Sequence, residues 1–183
     1  MLEVQSLSLP GVFEIRPKRF SDDRGFFSET YSASAFERLK LPVNWVQDNQ
    51  SLSHKPGTVR GLHFQRPPMA QAKLVSVIAG EIFDVVVDLR RTSPTRGLWA
   101  AVRLSAERGN QLFVPTGFAH GFMTLEANTQ VSYKVNAPYS PEHERSIRFD
   151  DAAIGIEWPD LARVVLSEKD AAAPPLTDVE TGF

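Results

Sequence analysis

The sequence reads Gly57-Thr-Val-Arg-Gly-Leu-His63-Phe-Gln65 in one segment and Gly109-Asn-Gln-Leu-Phe-Val-Pro115-Thr-Gly117-Phe-Ala-His120 in a second. Each segment begins with glycine and leads through apolar residues to a histidine. Lys73 follows the first segment and stands seven residues before Gly80. Short β-branched and aromatic runs bounded by glycine and proline are typical of strands joined by tight turns. The two segments therefore predict a strand-rich fold in which both histidines occupy equivalent motif positions.

The spacing resembles that of the two cupin motifs, G-x5-H-x-H…E-x6-G and G-x5-P-x-G-x2-H, and the second is matched through His120. The resemblance implies a mainly all-β fold, a cupin-type antiparallel β-barrel or jelly roll with a few short helices. Such a small barrel has an open mouth that can hold one ligand.

The departures from the cupin pattern concern the metal. A metal-binding cupin places three histidines and one glutamate around its ion, but here Gln65 replaces the second histidine and Lys73 replaces the glutamate. A protonated ammonium cannot ligate a metal, and its charge repels the ion. We therefore expect a site without a metal ion. At this position Lys73 can instead stabilise a developing oxyanion.

Three tight turns flanked by apolar runs predict β-hairpins. They join Val75–Ala79 to Ile82–Val87, Leu112–Pro115 to Ala119–Leu125, and Phe122–Leu125 to Val131–Val135. Ser34-Ala-Phe-Glu37 has the pattern of a capping box, which predicts a helix that begins there and ends by Leu41. The chain from Asp150 onward is expected to be irregular.

Length and composition favour one domain over residues 1–183. The formal net charge of -2 disfavours a nucleic-acid partner. Without cysteine, disulfides and thiolate nucleophiles are excluded. The start of the chain lacks the pattern of a signal peptide, and no apolar run reaches the ~20 residues of a membrane helix. These features predict a cytoplasmic protein that does not enter a membrane.

Six segments carry a wider resemblance: Phe20-Ser-Asp-Asp-Arg24-Gly25-Phe26-Phe27-Ser-Glu29, Gln47-Asp-Asn49, Gly57 to Gln65, Lys73-Leu-Val, Pro115-Thr-Gly-Phe-Ala-His120-Gly-Phe and Leu166-Ser-Glu-Lys169-Asp170. In this order, and over nearly the whole chain, the sequence is similar to the dTDP-4-dehydrorhamnose 3,5-epimerase family. The resemblance implies epimerisation at C3 and C5 of dTDP-4-dehydro-6-deoxy-D-glucose to dTDP-4-dehydro-L-rhamnose. The reaction would proceed through an enolate, without a cofactor.

The resemblance also implies four catalytic roles. His63 resembles the family's base, and an unperturbed pKa of ~6.5 suits proton removal near neutrality. Asp170 resembles the residue that orients this imidazole and stabilises its charged form. Lys73 would face the enolate oxygen. Tyr133 resembles the acid, although its alternation with valines is by itself the pattern of a packed strand aromatic.

The remaining matches concern substrate binding. Arg60 resembles a residue that reaches the diphosphate, and Tyr139 is a candidate to stack on the thymine. Arg24 and Glu29 resemble residues that a neighbouring subunit lends, which implies a homodimer with strand exchange. The other positions that match substrate contacts are Gln47, Asn49, His120, Glu144 and Lys169. Glu144 and Lys169 also have the simpler interpretation of surface salt-bridge residues.

Three alternatives remain open from sequence. A sibling enzyme that inverts only C3 or only C5 of a related dTDP-4-keto-6-deoxy sugar would use the same residues. A non-catalytic cupin that binds a sugar nucleotide would not need an acid and a base together. A metal-dependent cupin is opposed by Gln65 and Lys73.

Overall fold

Strands dominate the computed structural model, which describes residues 2–183. The strands are β1 (Glu3–Ser6), β2 (Phe13–Arg16), β3 (Arg19–Asp22), β4 (Gly25–Ser28), β5 (Gln47–Ser53), β6 (Val59–Gln65), β7 (Lys73–Ala79), β8 (Glu81–Asp88), β9 (Trp99–Ser105), β10 (Gln111–Val114), β11 (Phe118–Thr124), β12 (Thr129–Val135) and β13 (Glu144–Ser146). The helices are α1 (Ala33–Arg38) and α2 (Glu168–Ala171), with 3-10 turns at Leu161–Arg163 and Leu176–Asp178. Within residues 2–183, no helix has the length and apolar character needed to cross a membrane.

The strands form two large antiparallel sheets that face each other across one core. The first has the order β1-β2-β10-β7-β12-β5, the second has the order β13-β6-β11-β8-β9, and β3 with β4 forms a separate ribbon. Val75 and Val131 from the first sheet pack with Ile82, Leu104 and Phe122 from the second. Each such side chain contributes about 1.5–3 kcal/mol when it leaves water. This architecture confirms the predicted cupin-type jelly roll.

The three predicted hairpins are wrong, although their strands exist. β7 and β8 are separated only by Gly80, but β7 pairs with β10 and β12, whereas β8 pairs with β9 and β11. β10, β11 and β12 likewise alternate between the two sheets. Each turn therefore carries the chain from one sheet to the other. Apolar periodicity identifies a strand, but it does not identify the strand that pairs with it.

The predicted capping box at Ser34 and Glu37 is also wrong. Helix α1 begins at Ala33 with Ser32 as the N-cap residue, and no side chain caps it. Phe36 is fully buried and packs edge-on against Tyr31 at 4.9 Å. The buried ring of Phe36 anchors the helix in the core, whereas a local capping pattern is only a weak preference. The helix ends before Leu41, as predicted.

The segment after Asp150 is irregular, as expected, but it is well packed. Ile154, Ile156 and Trp158 cover the outer face of the second sheet. Backbone hydrogen bonds of 2.9 Å join Val165 to Gly57 and Val59 at the start of β6. The segment therefore returns across the barrel and delivers α2 to the end that carries β6.

Candidate active site

The two motif histidines are direct partners on neighbouring strands. His63 of β6 is opposite His120 of β11, and the register shifts immediately beyond this pair. A Cβ atom on Gly61 would lie only 2.5 Å from the Cα of Gly121, so glycine permits the close approach of the two backbones. Two glycines thus set the strand contact from which both imidazoles project.

Two adjoining cavities, of about 260 and 240 Å³, lie inside the barrel mouth. They share His63, Lys73 and Tyr133. The first is otherwise lined by Gln47, Asn49, Phe64, Gln65, Gln71, Tyr139 and Glu144, and the second by Ser51, Arg60, His120, Phe122, Ser167, Lys169 and Asp170. Three of the four predicted catalytic residues therefore form the junction of the two cavities, and the fourth lines the second cavity.

His63 is paired with Asp170. Its Nε2 atom lies 2.6 Å from Oδ1 of the carboxylate, across 107 positions of sequence. Burial opposes ionisation of Asp170, but hydrogen bonds from His63 and Ser167 hold the pKa of this carboxyl below its usual value. Because an ionised carboxylate only accepts hydrogen bonds, the contact favours the tautomer of the neutral ring that has the proton on Nε2 and the lone pair on Nδ1. The ring is thus set to accept a proton at Nδ1.

His120 is paired with a second carboxylate. Its Nε2 atom lies 2.6 Å from Oδ1 of Asp84, which is fully buried. Burial lowers the pKa of His120, although the charge of Asp84 opposes this effect. The neutral imidazole is therefore favoured, and His120 contributes a polar wall to the second cavity.

Lys73 is the buried cation between the cavities. Only 8% of the residue is exposed, and its Nζ atom lies 3.4 Å from the carbonyl oxygen of His63. Burial lowers the pKa of Lys73 to about 8, while Asp84 and Glu144 act in the opposite direction. An ammonium group that is shielded from solvent and that, within residues 2–183, has only one long hydrogen bond and no carboxylate in contact is suited to bind an anionic oxygen.

Tyr133 lies beside this cation. Its ring centroid is 6.0 Å from Nζ of Lys73. Burial raises the pKa of Tyr133 above its usual value, so the phenol keeps its proton near neutrality. The same residue that sequence periodicity describes as a packed aromatic thus lines both cavities.

Glu144 binds two polar residues at the mouth, Tyr139 and Lys169. Its Oε2 atom accepts a hydrogen bond of 2.8 Å from the hydroxyl of Tyr139 and lies 2.6 Å from Nζ of Lys169. Glu144 and Lys169 do form the salt bridge that the simpler interpretation predicts. Both also line a cavity, so the pair belongs to the candidate site.

Arg60 of β6 is held by the end of β5, in the other large sheet. Its Nε atom donates to the hydroxyl of Ser53 at 3.1 Å, and Nη2 donates to the carbonyl of Leu52 at 3.1 Å. In the first cavity, the amide of Gln47 donates to Oδ1 of Asn49 at 2.7 Å. These predicted binding residues therefore enter the site in fixed orientations.

Arg24 and Glu29 do not reach the cavities. Arg24 lies in the exposed turn of the β3–β4 ribbon and pairs with Asp22 of the same ribbon, and Glu29 is exposed just after β4. Neither residue contributes to the site of its own chain.

Sequence reasoning missed several residues of the site region, and three of these hold other groups in place through hydrogen bonds. Asp84 is a buried carboxylate within the apolar run of β8. A charged residue in such a run is the sequence signal that could have marked Asp84 as a candidate. The cupin pattern describes Gln65 only as a lost ligand, yet its amide nitrogen donates to the carbonyls of Met69 and Pro138 and its amide oxygen accepts from the N–H of Ser140. Ser167 contacts Asp170 and lies within a quoted motif.

The side chains that could act as metal ligands bear on whether the site holds a metal ion. Over residues 2–183, no three His, Cys, Asp or Glu side chains cluster in a way that could hold a metal ion. The Nε2 atoms of His63 and His120, which occupy the cupin ligand positions, each contact a carboxylate, that of Asp170 and that of Asp84 respectively. The metal-free site stays a prediction that metal analysis of the purified protein can check.

An antiparallel jelly roll with ionisable acid and base side chains around an internal cavity defines the class: a cupin-type protein with a charged polar site. A sequence model of the dTDP-4-dehydrorhamnose 3,5-epimerase family matches residues 6–178. The chain belongs to this family, and it is an isomerase of that type, which confirms the resemblance seen in its motifs.

Individual relatives agree over almost the full chain. The dTDP-4-dehydrorhamnose 3,5-epimerase of Sinorhizobium fredii is 55% identical over 98% of this chain and 92% of its own. That of Salmonella typhimurium is 51% identical over 96% of both chains. A solved structure of the Legionella pneumophila dTDP-6-deoxy-D-glucose-3,5-epimerase, in complex with dTDP-4-keto-L-rhamnose, is 44% identical. It superimposes with a TM-score of 0.94 over 98% of this chain and 95% of its own.

Proposed function

We propose that this enzyme inverts C3 and C5 of dTDP-4-dehydro-6-deoxy-D-glucose to give dTDP-4-dehydro-L-rhamnose, without a cofactor. One observation carries the proposal: His63, Lys73 and Tyr133 together form the junction of two adjoining cavities, and Asp170 lies 2.6 Å from His63. A base, a cation and a protonated phenol therefore surround one position. The reacting part of the sugar would occupy the junction, and the rest of the ligand would extend into the cavities.

The first step is removal of a proton from the carbon next to the ketone. Nδ1 of His63 takes the proton, and the electron pair of the broken C–H bond delocalises to the C4 oxygen as an enolate. Asp170 stabilises the imidazolium that forms, because its carboxylate is already ionised and hydrogen-bonded to Nε2. Such a base typically contributes about 10²–10⁴-fold to the rate.

The second step returns a proton to the other face. Lys73 would stabilise the enolate oxygen with its buried ammonium group, which is worth more in this environment than in water. The hydroxyl of Tyr133 then gives its proton to carbon, so the ketone re-forms with inverted configuration. Exchange with solvent restores the phenol and the neutral imidazole before the next inversion.

The nucleotide part of the substrate is assigned to the outer residues of the cavities. Arg60 would bind the diphosphate, because a guanidinium matches phosphate oxygens in bidentate geometry. Tyr139 is exposed at the mouth and fixed by Glu144, which suits a ring that stacks on the thymine. Gln47, Asn49, His120, Glu144 and Lys169 supply further polar contacts around the sugar and phosphates.

We also propose a homodimer with strand exchange. The β3–β4 ribbon stands outside both large sheets and exposes Phe20, Phe26 and Phe27, the last to 71%. Phe20 and Phe27 are paired across the ribbon and share one of its faces, and an exposed apolar patch of this kind marks an interaction site. A second copy that covers this ribbon would bring Arg24 and Glu29 toward its neighbour's cavity. Sedimentation at working concentration checks the dimer, and a monomer would contradict it.

The predictions of one domain over residues 1–183 and of a cytoplasmic enzyme accompany this proposal. The match to the family over residues 6–178 supports the single domain. Limited proteolysis tests it, because two stable fragments would contradict one domain. The cytoplasmic location stays a prediction.

Incubation with dTDP-4-keto-6-deoxyglucose in deuterated water tests the reaction. Inversion at both carbons places one deuterium at C3 and one at C5, with formation of the L-rhamno product. A single deuterium and a single inversion would instead establish an enzyme specific for one carbon. Binding without incorporation would establish a non-catalytic cupin.

A further inference from the structure

Ser167 holds the carboxylate of Asp170 from the side opposite His63. Its hydroxyl accepts the backbone N–H of Asp170 at 3.1 Å and donates to Oδ2 of Asp170 at 2.9 Å. Oδ1 of the same carboxylate lies 2.6 Å from Nε2 of His63. Each carboxylate oxygen therefore has its own partner, and the three side chains form one continuous chain of hydrogen bonds.

The support that Ser167 provides matters because Asp170 stands on a very short helix, and the backbone hydrogen bonds that anchor the chain on either side of it are made by Val165 and Pro174. The last backbone bonds to β6 are made by Val165, and α2 is a single turn of four residues. Rotation of a carboxylate about its terminal bond is soft and nearly two-fold. A bond to Oδ1 alone would leave this rotation weakly restrained, whereas bonds to both oxygens fix the plane of the group.

We propose that Ser167 is a positioning residue that holds Asp170 in register with His63 through its hydroxyl proton. The proposal rests on the function proposed above, in which His63 is the base. With Oδ1 fixed on Nε2, the imidazole is kept in the tautomer that leaves Nδ1 without a proton. Helix capping alone would require the serine oxygen only as an acceptor, so the O–H bond to Oδ2 is the part that capping does not explain.

Three variants separate the two roles. Ser167→Thr keeps the hydroxyl, and Ser167 is exposed, so the added methyl group has room. Ser167→Asp keeps an oxygen that can cap α2 but has no proton to donate. Ser167→Ala removes both functions. The readouts are the rate of solvent deuterium exchange at C3 and C5, and the ¹⁵N chemical shifts of the His63 ring, which report its tautomer.

We expect Ser167→Thr to exchange within about twofold of the parent enzyme and to keep the Nε2–H tautomer. Ser167→Ala and Ser167→Asp should each lose about tenfold in exchange, which is the scale of one hydrogen bond to a charged group. Their His63 spectra should shift toward a mixture of tautomers. Thermal melting of each variant records any change in stability separately.

Parental exchange and an unchanged tautomer in Ser167→Asp would overturn the proposal, because capping would then suffice. Slow exchange in Ser167→Thr would overturn it as well. If Ser167→Ala does not fold, the Thr and Asp variants still decide. Absence of exchange in the parent enzyme would refute the proposed reaction, while the ring spectra would still test the role of Ser167.

Discussion

His63 and His120 are opposite each other on β6 and β11, yet their Nε2 atoms face different carboxylates, each at 2.6 Å. Asp170 comes from the C-terminal segment and Asp84 from β8. His63 lies at the cavity junction, whereas His120 lines only the second cavity. The two histidine–aspartate pairs are therefore similar in geometry but differ in location. The location of His63 at the cavity junction is the reason for assigning it as the base.

The matched variants His63→Gln and His120→Gln should accordingly differ in kind. His63→Gln should lose about 10²–10⁴-fold in deuterium exchange at both C3 and C5, because no enolate forms. His120→Gln should still exchange, with its loss mainly in KM. The measurement is exchange by NMR at saturating substrate. Comparable losses of exchange in the two variants would contradict the assignment of His63 as the base.

Tyr133→Phe should separate exchange from inversion. The variant keeps the ring that lines both cavities and removes only the hydroxyl, so His63 can still form the enolate and return a proton to the face it left. We expect exchange to continue while the inverted product falls about 10²–10⁴-fold. Equal losses of exchange and inversion would place Tyr133 in the oxyanion site instead.

Activity should fall as the pH rises through about 8. The pKa of Lys73 is lowered to about 8 by burial, so the ammonium is present below this pH and lost above it. Tyr133 has a raised pKa and His120 a lowered one, so neither titrates in the same range. A pH profile of kcat/KM measures this limb, and a flat profile to pH 10 would contradict the role of Lys73.

Asp84→Asn should move this alkaline limb to lower pH. Asp84 and Glu144 are the carboxylates that raise the pKa of Lys73 against burial, and the substitution removes one of these charges at nearly constant shape. Glu180→Gln is the matched control, because Glu180 is exposed and pairs with Arg66 outside both cavities. An equal shift of the alkaline fall in kcat/KM in both variants would show that it responds to the net charge of the protein and not to the charge of Asp84 near Lys73.

Arg60→Ala should raise KM far more than it lowers kcat. Binding to the diphosphate is the same in the ground state and the transition state, so its loss weakens binding uniformly. Arg148→Ala is the control, since Arg148 pairs with Asp150 and lines neither cavity. Initial rates over a range of substrate concentrations separate the two constants. An equal fall in kcat and kcat/KM would assign Arg60 to the chemistry.

Gly61→Ala should destabilise the fold by about 2–5 kcal/mol. Its φ of 132° is unfavourable for alanine, and the new Cβ would lie 2.5 Å from Gly121 Cα and 2.9 Å from the carbonyl oxygen of His120. Gly97→Ala shares a positive φ of 79° but meets nothing within 4 Å, so it should cost only about 1–2 kcal/mol. Urea denaturation compares the two variants. Equal losses would show that backbone strain, not the close strand contact, dominates.

Motif spacing was sufficient to predict the fold class and to single out His63 and Lys73 at the cavity junction, whereas Tyr133 was predicted only through the resemblance to the family. His63, Lys73 and His120 are recognisable because local strand and turn patterns place them at cupin ligand positions. These patterns depend on neighbours within a few residues. That is why the strands of the three proposed hairpins were predicted correctly, whereas the partners of those strands were not.

Only the tertiary structure decided which distant groups meet. Asp170 reaches His63 across 107 positions because the C-terminal segment packs on the second sheet and returns across the barrel. Asp84 meets His120 because β8 and β11 are neighbours in that sheet. Burial then sets the protonation of Lys73 and Tyr133. The identity of these residues is written in the sequence, but contact and burial arise only when the two sheets close on a common core.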